Sequence, residues 1–179
     1  MSSTESFGKG LVQVFTGEGR GKTSAALGTV IRALGNGLRV SIVAFMKAGY
    51  PSGEWEFLSG LPNVSVTRFG AGPFVDPARV SPEDREQAAQ ALRAAREAVL
   101  GGNYDLVVLD EVNVAVAWKL VDLHDVLELI EGKPGNVELI LTGRSADKEI
   151  IRAADLVTEM LNIKHPYEGG TAARRGIEY

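Results

Sequence analysis

The segment VFTGEGRGKTSAALG, from Val14 to Gly28, concentrates the residue types that hold phosphate. Gly17, Gly19 and Gly21 let backbone N–H groups approach an anion, Lys22 supplies a cation, and the hydroxyl of Thr23, with Ser24 behind it, can bind Mg2+. The usual phosphate-loop spacing, G-x-x-x-x-G-K-[ST], sets four residues between its glycines. Here Thr16 occupies the place of the first glycine, and Gly17 leaves only three residues before Gly21. Phosphate binding requires convergent N–H groups, a helix N-terminus and a cation, and all three are offered without that glycine. The loop is therefore expected to bind a nucleotide in a modified form. A glycine-rich turn that only joins a strand to a helix is the alternative, and Gly21-Lys22-Thr23 at the helix start argues against it.

A second group of polar residues falls at strand ends. YDLVVLDE closes on Asp110 and Glu111, either of which could hold Mg2+ as a hard oxygen ligand or could merely cap the next segment. Arg144 closes ILTGR, where its guanidinium could grip phosphate or pair with a neighbouring acid. Arg32, on the helix after the glycine loop, is open to a ligand-facing or a structural role. His124 and His165 carry no zinc-site spacing. Phe69, Phe74, Trp55 and Trp118 read as core unless a flat ligand is indicated.

These groups must be positioned by alternating elements. GLVQVF, RVSIVAF, VSVTRF, YDLVVLDE, VELILTGR and DLVTEML read as strands. Helices are expected from Thr23 to Gly35, around Glu54 to Leu58, after Ser81, after Asp122 and over SADKEIIRAA. Ser81, Pro82 and Asp84 form a capping box with proline at the first helical position. Apolar strands alternating with helices predict a three-layer α/β domain, mostly parallel, of the P-loop NTPase-like (RecA-like) kind. One domain over residues 10–179 is expected, preceded by a flexible segment, 1–9.

The formal net charge of −4 over 179 residues provides no broad attraction to nucleic acid or anionic membrane, so a phosphate site must be local. The absence of cysteine excludes thiolate metal sites and thiol nucleophiles. No run reaches the roughly 20 apolar residues of a membrane span. MSSTESFGKG lacks the features of a signal peptide, so a cytoplasmic protein is expected.

Taken in order, GLVQVFTGEGRGKTSAALG, VVLDE, ILTGR and KHPYEGGTAARRGIEY resemble the P-loop ATP:corrinoid adenosyltransferases, over nearly the whole chain. The shortened glycine loop is typical of that family. The resemblance implies transfer of the adenosyl group of ATP to the Co(I) centre of a reduced corrinoid, with release of triphosphate. It implies that Gly17, Glu18, Gly19, Arg20, Gly21, Lys22, Thr23 and Ser24 surround the phosphates, aided by Arg32 and Arg144. Lys22 and Glu111 would be the catalytic pair, Thr23, Glu111 and Asp110 the Mg2+ ligands, and Phe74 and Phe69 part of the corrinoid surface. A homodimer and an electron-donating flavoprotein are implied as well. Arg20 stands where the family commonly has lysine, Glu18 where it has asparagine or aspartate, and Asp76 where some members have tryptophan.

Overall fold

The computed structural model describes residues 8–49, 52–72 and 75–178. Residues 1–7 of the expected flexible segment, and Phe74, lie outside the described residues. The elements run β1 (Val12–Thr16), α1 (Lys22–Gly35), β2 (Val40–Ala44), α2 (Gly53–Ser59), β3 (Val64–Arg68), α3 (Pro82–Leu100) and β4 (Leu106–Asp110). They continue with α4 (Val112–Ala117), α5 (Leu123–Gly132), β5 (Glu138–Thr142), α6 (Lys148–Ala153), β6 (Leu156–Glu159) and a short 3-10 turn, Pro166–Gly169.

The six strands form one sheet in the order β3-β2-β4-β5-β1-β6, and every pairing is parallel. Apolar runs without polar alternation follow from cover on both faces. In β4, Leu106 and Val108 join one core layer with Ala26, Val30 and Ala33 of α1. Val107 and Leu109 join the opposite layer, with Ala88, Ala91, Ala95 and Val99 of α3. The period-two alternation of a strand divides the residues in this way. Alanines at the buried positions of α3 let that helix lie close to the sheet. Its N-terminus carries the expected capping box, with Ser81 Oγ accepting from Asp84 N at 3.0 Å and Asp84 Oδ2 accepting from Ser81 N at 2.9 Å. The edge strand β6 departs from the pattern, since all four of its residues are exposed.

One element differs from the sequence reading. The strand expected to reach Glu111 stops at Asp110, and Glu111 takes a left-handed conformation (φ 63°) as N-cap of α4. VNVAVA, to which the sequence reading assigned no element, is rich in β-branched residues that favour strand over helix. Burial of Val112, Asn113, Val114, Ala115 and Val116 against the sheet overrides that propensity.

Candidate nucleotide-binding site

All strands are parallel, so their C-terminal ends share one edge, and the loops after β1, β2, β4 and β5 converge there. The glycine loop leaves β1 at Gly17, whose φ of 94° and whose Cβ position only 2.4 Å from Met160 O both require glycine. Gly19 N donates to Met160 O at 2.6 Å, tying the loop to the chain beyond β6. Thr16 belongs to β1 and not to the loop: it is buried, and its Oγ1 accepts from Ala146 N at 3.2 Å. Thr16 is thus the last residue of the strand, and the loop begins at Gly17.

Gly21 is the N-cap of α1. No side chain caps this end and no acid lies in its first turn. By contrast α3, α5 and α6 begin with capping by Ser81, Asp122 and Asp147. The first N–H groups of α1, with the positive end of the helix dipole, are thereby left to an anion or to water. Lys22 Nζ spans the loop, donating to Gly17 O at 2.7 Å and Gly19 O at 2.6 Å. Burial lowers its pKa; Arg144 and Lys47 add to the drop, while Glu111 and Glu18 oppose it.

Asp110 is completely buried at the end of β4. Its Oδ1 accepts from two hydroxyls, Thr23 Oγ1 at 2.8 Å and Thr142 Oγ1 at 2.7 Å. Its Oδ2 has no hydrogen-bond donor and faces Lys47 Nζ at 3.9 Å. The same ammonium lies 3.6 Å from Glu111 Oε1. Thr142 Oγ1 in turn accepts from Glu111 N at 3.0 Å, which fixes the left-handed turn. The Glu111 pKa is raised, first by burial and then by the Asp110 charge, against the pull of Lys47, Lys22 and Arg144.

These groups fit a hard divalent cation. Thr23 gives its only hydroxyl proton to Asp110 Oδ1, so its lone pairs are available; Asp110 Oδ2 is buried without a donor, and Glu111 adds a second carboxylate. Among the described residues no group of three or more acidic, histidine or cysteine side chains is arranged so that it could hold a metal ion by itself. A cation held here therefore needs phosphate and water to complete its shell.

The cavity in front of the loop has a volume of about 640 Å³. Arg20, Gly21, Lys22, Thr23, Ser24 and Glu111 line it, joined by Lys47, Glu54, Leu27 and Ile31 and, from the chain end, Gly176, Ile177 and Glu178. The guanidinium of Arg20, expected at phosphate, is bonded to Glu178 and to the Ile177 carbonyl instead. Arg144 pairs with Glu18 at 3.6 Å, both exposed, and lies close enough to act on the charges of Lys22 and Glu111. Arg32 is not brought to the loop. It sits in the last turn of α1, about 15 Å along the helix axis from Lys22. There it lines a separate depression with Gln13, Asn36 and Glu138, at the opposite edge of the sheet.

Phe69 is half-buried against the core. Its backbone holds the Lys47 turn: Lys47 N donates to Phe69 O at 2.8 Å. Asp76 Oδ1 accepts from Ala78 N at 2.9 Å in a local turn. Trp55 is core, and His165 caps the 3-10 turn through Tyr167 N.

Sequence reasoning passed over Lys47 and Thr142, and took the tail as part of the family resemblance without giving its residues a place in the site. Lys47 lies three residues beyond β2, and its place at the carboxyl end of a parallel strand is the signal that could have singled it out. Thr142, the last residue of an apolar strand, carries no local signal.

A family model for ATP:corrinoid adenosyltransferase BtuR/CobO/CobP matches residues 8–179. The chain is 37% identical over 172 residues to a corrinoid adenosyltransferase of Pseudomonas aeruginosa, covering 96% of this chain and 84% of that protein. It is 33% identical over 171 residues to the corrinoid adenosyltransferase of Escherichia coli (strain K12), covering 96% and 86%. The corrinoid adenosyltransferase CobA of Salmonella typhimurium matches with the same identity and coverage. With a glycine loop, an uncapped helix start and a lysine–carboxylate cluster converging on one cavity, and a family match across nearly its full length, the chain belongs to the ATP:corrinoid adenosyltransferase family.

Proposed function

We propose that the protein transfers the 5′-deoxyadenosyl group of ATP to the Co(I) centre of a reduced corrinoid. The Co(I) electron pair attacks C5′ of the ribose, the C5′–O bond breaks, and triphosphate leaves with that bond's electrons. The observation that carries this reading is the family match over residues 8–179, whose glycine loop opens onto a cavity of nucleotide size. No side-chain nucleophile is required, in keeping with a site made of cations, carboxylates and hydroxyls.

In this reading the protein positions ATP and stabilises the charge that grows on the leaving triphosphate. The first N–H groups of α1 and the ammonium of Lys22 bind phosphate oxygens, with Lys47 and Arg144 adding positive charge. Thr23, Asp110 and Glu111 hold Mg2+, which supplies further charge neutralisation on the phosphates. Asp110, anchored by Thr23 and Thr142, orients that group of oxygens. Phe69 and the segment containing Phe74 form part of the corrinoid surface.

An electron-donating flavoprotein, which the family resemblance implies, is the proposed source of the electron that brings cobalt to Co(I). The protein acts as a homodimer. Support comes from the apolar residues exposed along the β6 edge and the chain beyond it, among them Leu156, Val157, Leu161 and Ile163. Among the described residues no helix is long and apolar enough to cross a membrane. A cytoplasmic site of action belongs to the same proposal.

The test is anaerobic incubation with Mg-ATP and a chemically reduced corrinoid, following the visible spectrum and the phosphate products. A light-sensitive adenosylated corrinoid with stoichiometric triphosphate supports the reading. ADP and phosphate without a cobalt–carbon bond would replace it with phosphoryl transfer.

A further inference from the structure

Gly176, Ile177 and Glu178 are built into the wall of the nucleotide cavity. Arg174 to Glu178 form a compact turn, in which Ile177 N and Glu178 N both donate to Arg174 O, at 3.1 and 2.9 Å. Gly176, at φ 78°, makes the reversal possible. Glu178 closes the turn by accepting from Arg174 N at 2.7 Å, Nε at 3.2 Å and Nη2 at 2.9 Å. Hydrogen bonds from Arg174, with the more distant charge of Arg20, hold the Glu178 carboxyl down at about 2, so it is ionised throughout the working range.

Arg20 fastens the turn to the glycine loop. Arg20 reaches Glu178 Oε1 with Nη1 at 3.4 Å and donates Nη2 to Ile177 O. Gly176, Ile177 and Glu178 then face the same cavity as Lys22 and Glu111. An arginine whose guanidinium already serves a carboxylate and a carbonyl is engaged away from phosphate. The loop's remaining cation, Lys22, and the start of α1 are left to carry the anion.

We propose that residues 174–178 are a clasp closing the outer wall of the nucleotide site, and that Glu178 is a positioning residue acting through Arg20. This rests on the adenosyltransferase reading only in naming ATP as the occupant. The carboxylate holds Arg20 off the phosphates and fixes the loop's outer half, while Ile177 shields the cavity. Nucleotide affinity then depends on the Arg20–Glu178 pair as a unit and not on the charge of Arg20 alone.

The experiment is a double-mutant cycle on the full chain, with Mg-ATP affinity measured by calorimetry for Arg20→Ala, Glu178→Ala and both together. Each single variant is expected to weaken binding about fivefold, on the scale of a well-formed surface charge pair, with no further loss in the double variant. The reversed pair, Arg20→Glu with Glu178→Arg, is expected to recover most of the affinity. In turnover assays the KM for ATP rises and the KM for the corrinoid does not. Additive losses, or a reversed pair worse than either single variant, would overturn the proposal and return Arg20 to direct phosphate contact.

Failure of the wild type to bind Mg-ATP would count against the functional reading alone. The clasp then has its own readout in tryptic cleavage at Arg174 and Arg175. Arg20→Ala is expected to accelerate that cleavage severalfold, and unchanged cleavage would show that Arg20 does not hold the tail. Glu178 lies outside both core clusters, so a normal melting profile is expected for its variants.

Discussion

The hydroxyl of Thr23 donates to Oδ1 of Asp110 at 2.8 Å, joining the first turn of the helix behind the glycine loop to the end of the central strand β4. Eighty-seven residues separate the two in the chain. The bond sets the distance between the glycine-loop end and the acidic end of the site. It also leaves the Thr23 lone pairs and Asp110 Oδ2 as the free oxygens.

Removal of the loop cation tests the site most directly. Lys22→Ala is expected to lower kcat/KM by roughly two to three orders of magnitude, the scale of losing one charge-stabilising donor. Lys22 contributes no core volume, so the melting temperature should stay near wild type. Turnover close to wild type in a folded variant would remove Lys22 from the phosphate site.

Glu111→Gln separates function from stability through pH. The Glu111 pKa is raised above the ordinary 4.5, chiefly by burial, so the folded state holds this proton more tightly than the unfolded chain does. As pH climbs from 4.5 through the raised value, the unfolded state deprotonates first and the wild type loses stability. In metal-free buffer the glutamine variant should therefore melt higher than wild type near neutral pH, with the gap closing below pH 4.5. The same variant should need more Mg2+ for half-maximal turnover. Melting curves against pH and a Mg2+ titration check the two halves, and an unchanged Mg2+ requirement would reject Glu111 as a ligand.

Asp110→Asn keeps one oxygen to accept from Thr23 and Thr142 but turns an amide toward Lys47. Mg-ATP binding should weaken at least tenfold, while the apo protein keeps most of its stability, because the oxygen that accepts from both hydroxyls remains. Asp110→Ala should behave differently, costing about 2 kcal/mol or more by leaving two hydroxyls without their acceptor. Equal stability of the two variants in denaturant titrations would contradict the hydrogen-bond assignment.

Ser81→Ala serves as a control remote from the chemistry. Loss of the capping box on α3 should cost about 1 kcal/mol, lowering the melting temperature by about 3 °C. Kinetic constants should not change. A large kinetic effect would mean that α3 is coupled to the site.

Lys47→Met tests the residue that only the structure brought forward. Its ammonium stands between Asp110 and Glu111 at 3.9 and 3.6 Å. Without it the Glu111 carboxyl should hold its proton to still higher pH, and the acid limb of the pH–rate profile should move upward. An unmoved limb would mean that Lys47 does not act on Glu111.

Much of the architecture is legible along the chain because its signals are local. Strand runs such as VELILT, the box of Ser81 and Asp84, and Gly21-Lys22-Thr23 each fit within a few residues. The signals fail where packing competes with propensity. VNVAVA becomes helix α4 because five buried side chains outweigh β-branched preference, and Glu111 leaves the strand to bond Thr142. Arg32 shows another limit: helical spacing specifies a face, but the length of α1 carries that residue to the far edge of the sheet.

By itself, then, the sequence determined the order of the six strands and of every longer helix but α4, the parallel α/β class, the glycine loop with Lys22 and Thr23, and the carboxylates at the end of β4. Hydrophobic periodicity, caps and turn chemistry act between near neighbours. Only the tertiary structure decided that Lys47 stands between Asp110 and Glu111, that Thr142 anchors the acid pair, and that Arg20 holds the chain's end. Those relationships span up to 158 residues. They arise from strand order and loop packing, which bring together side chains that no local pattern connects.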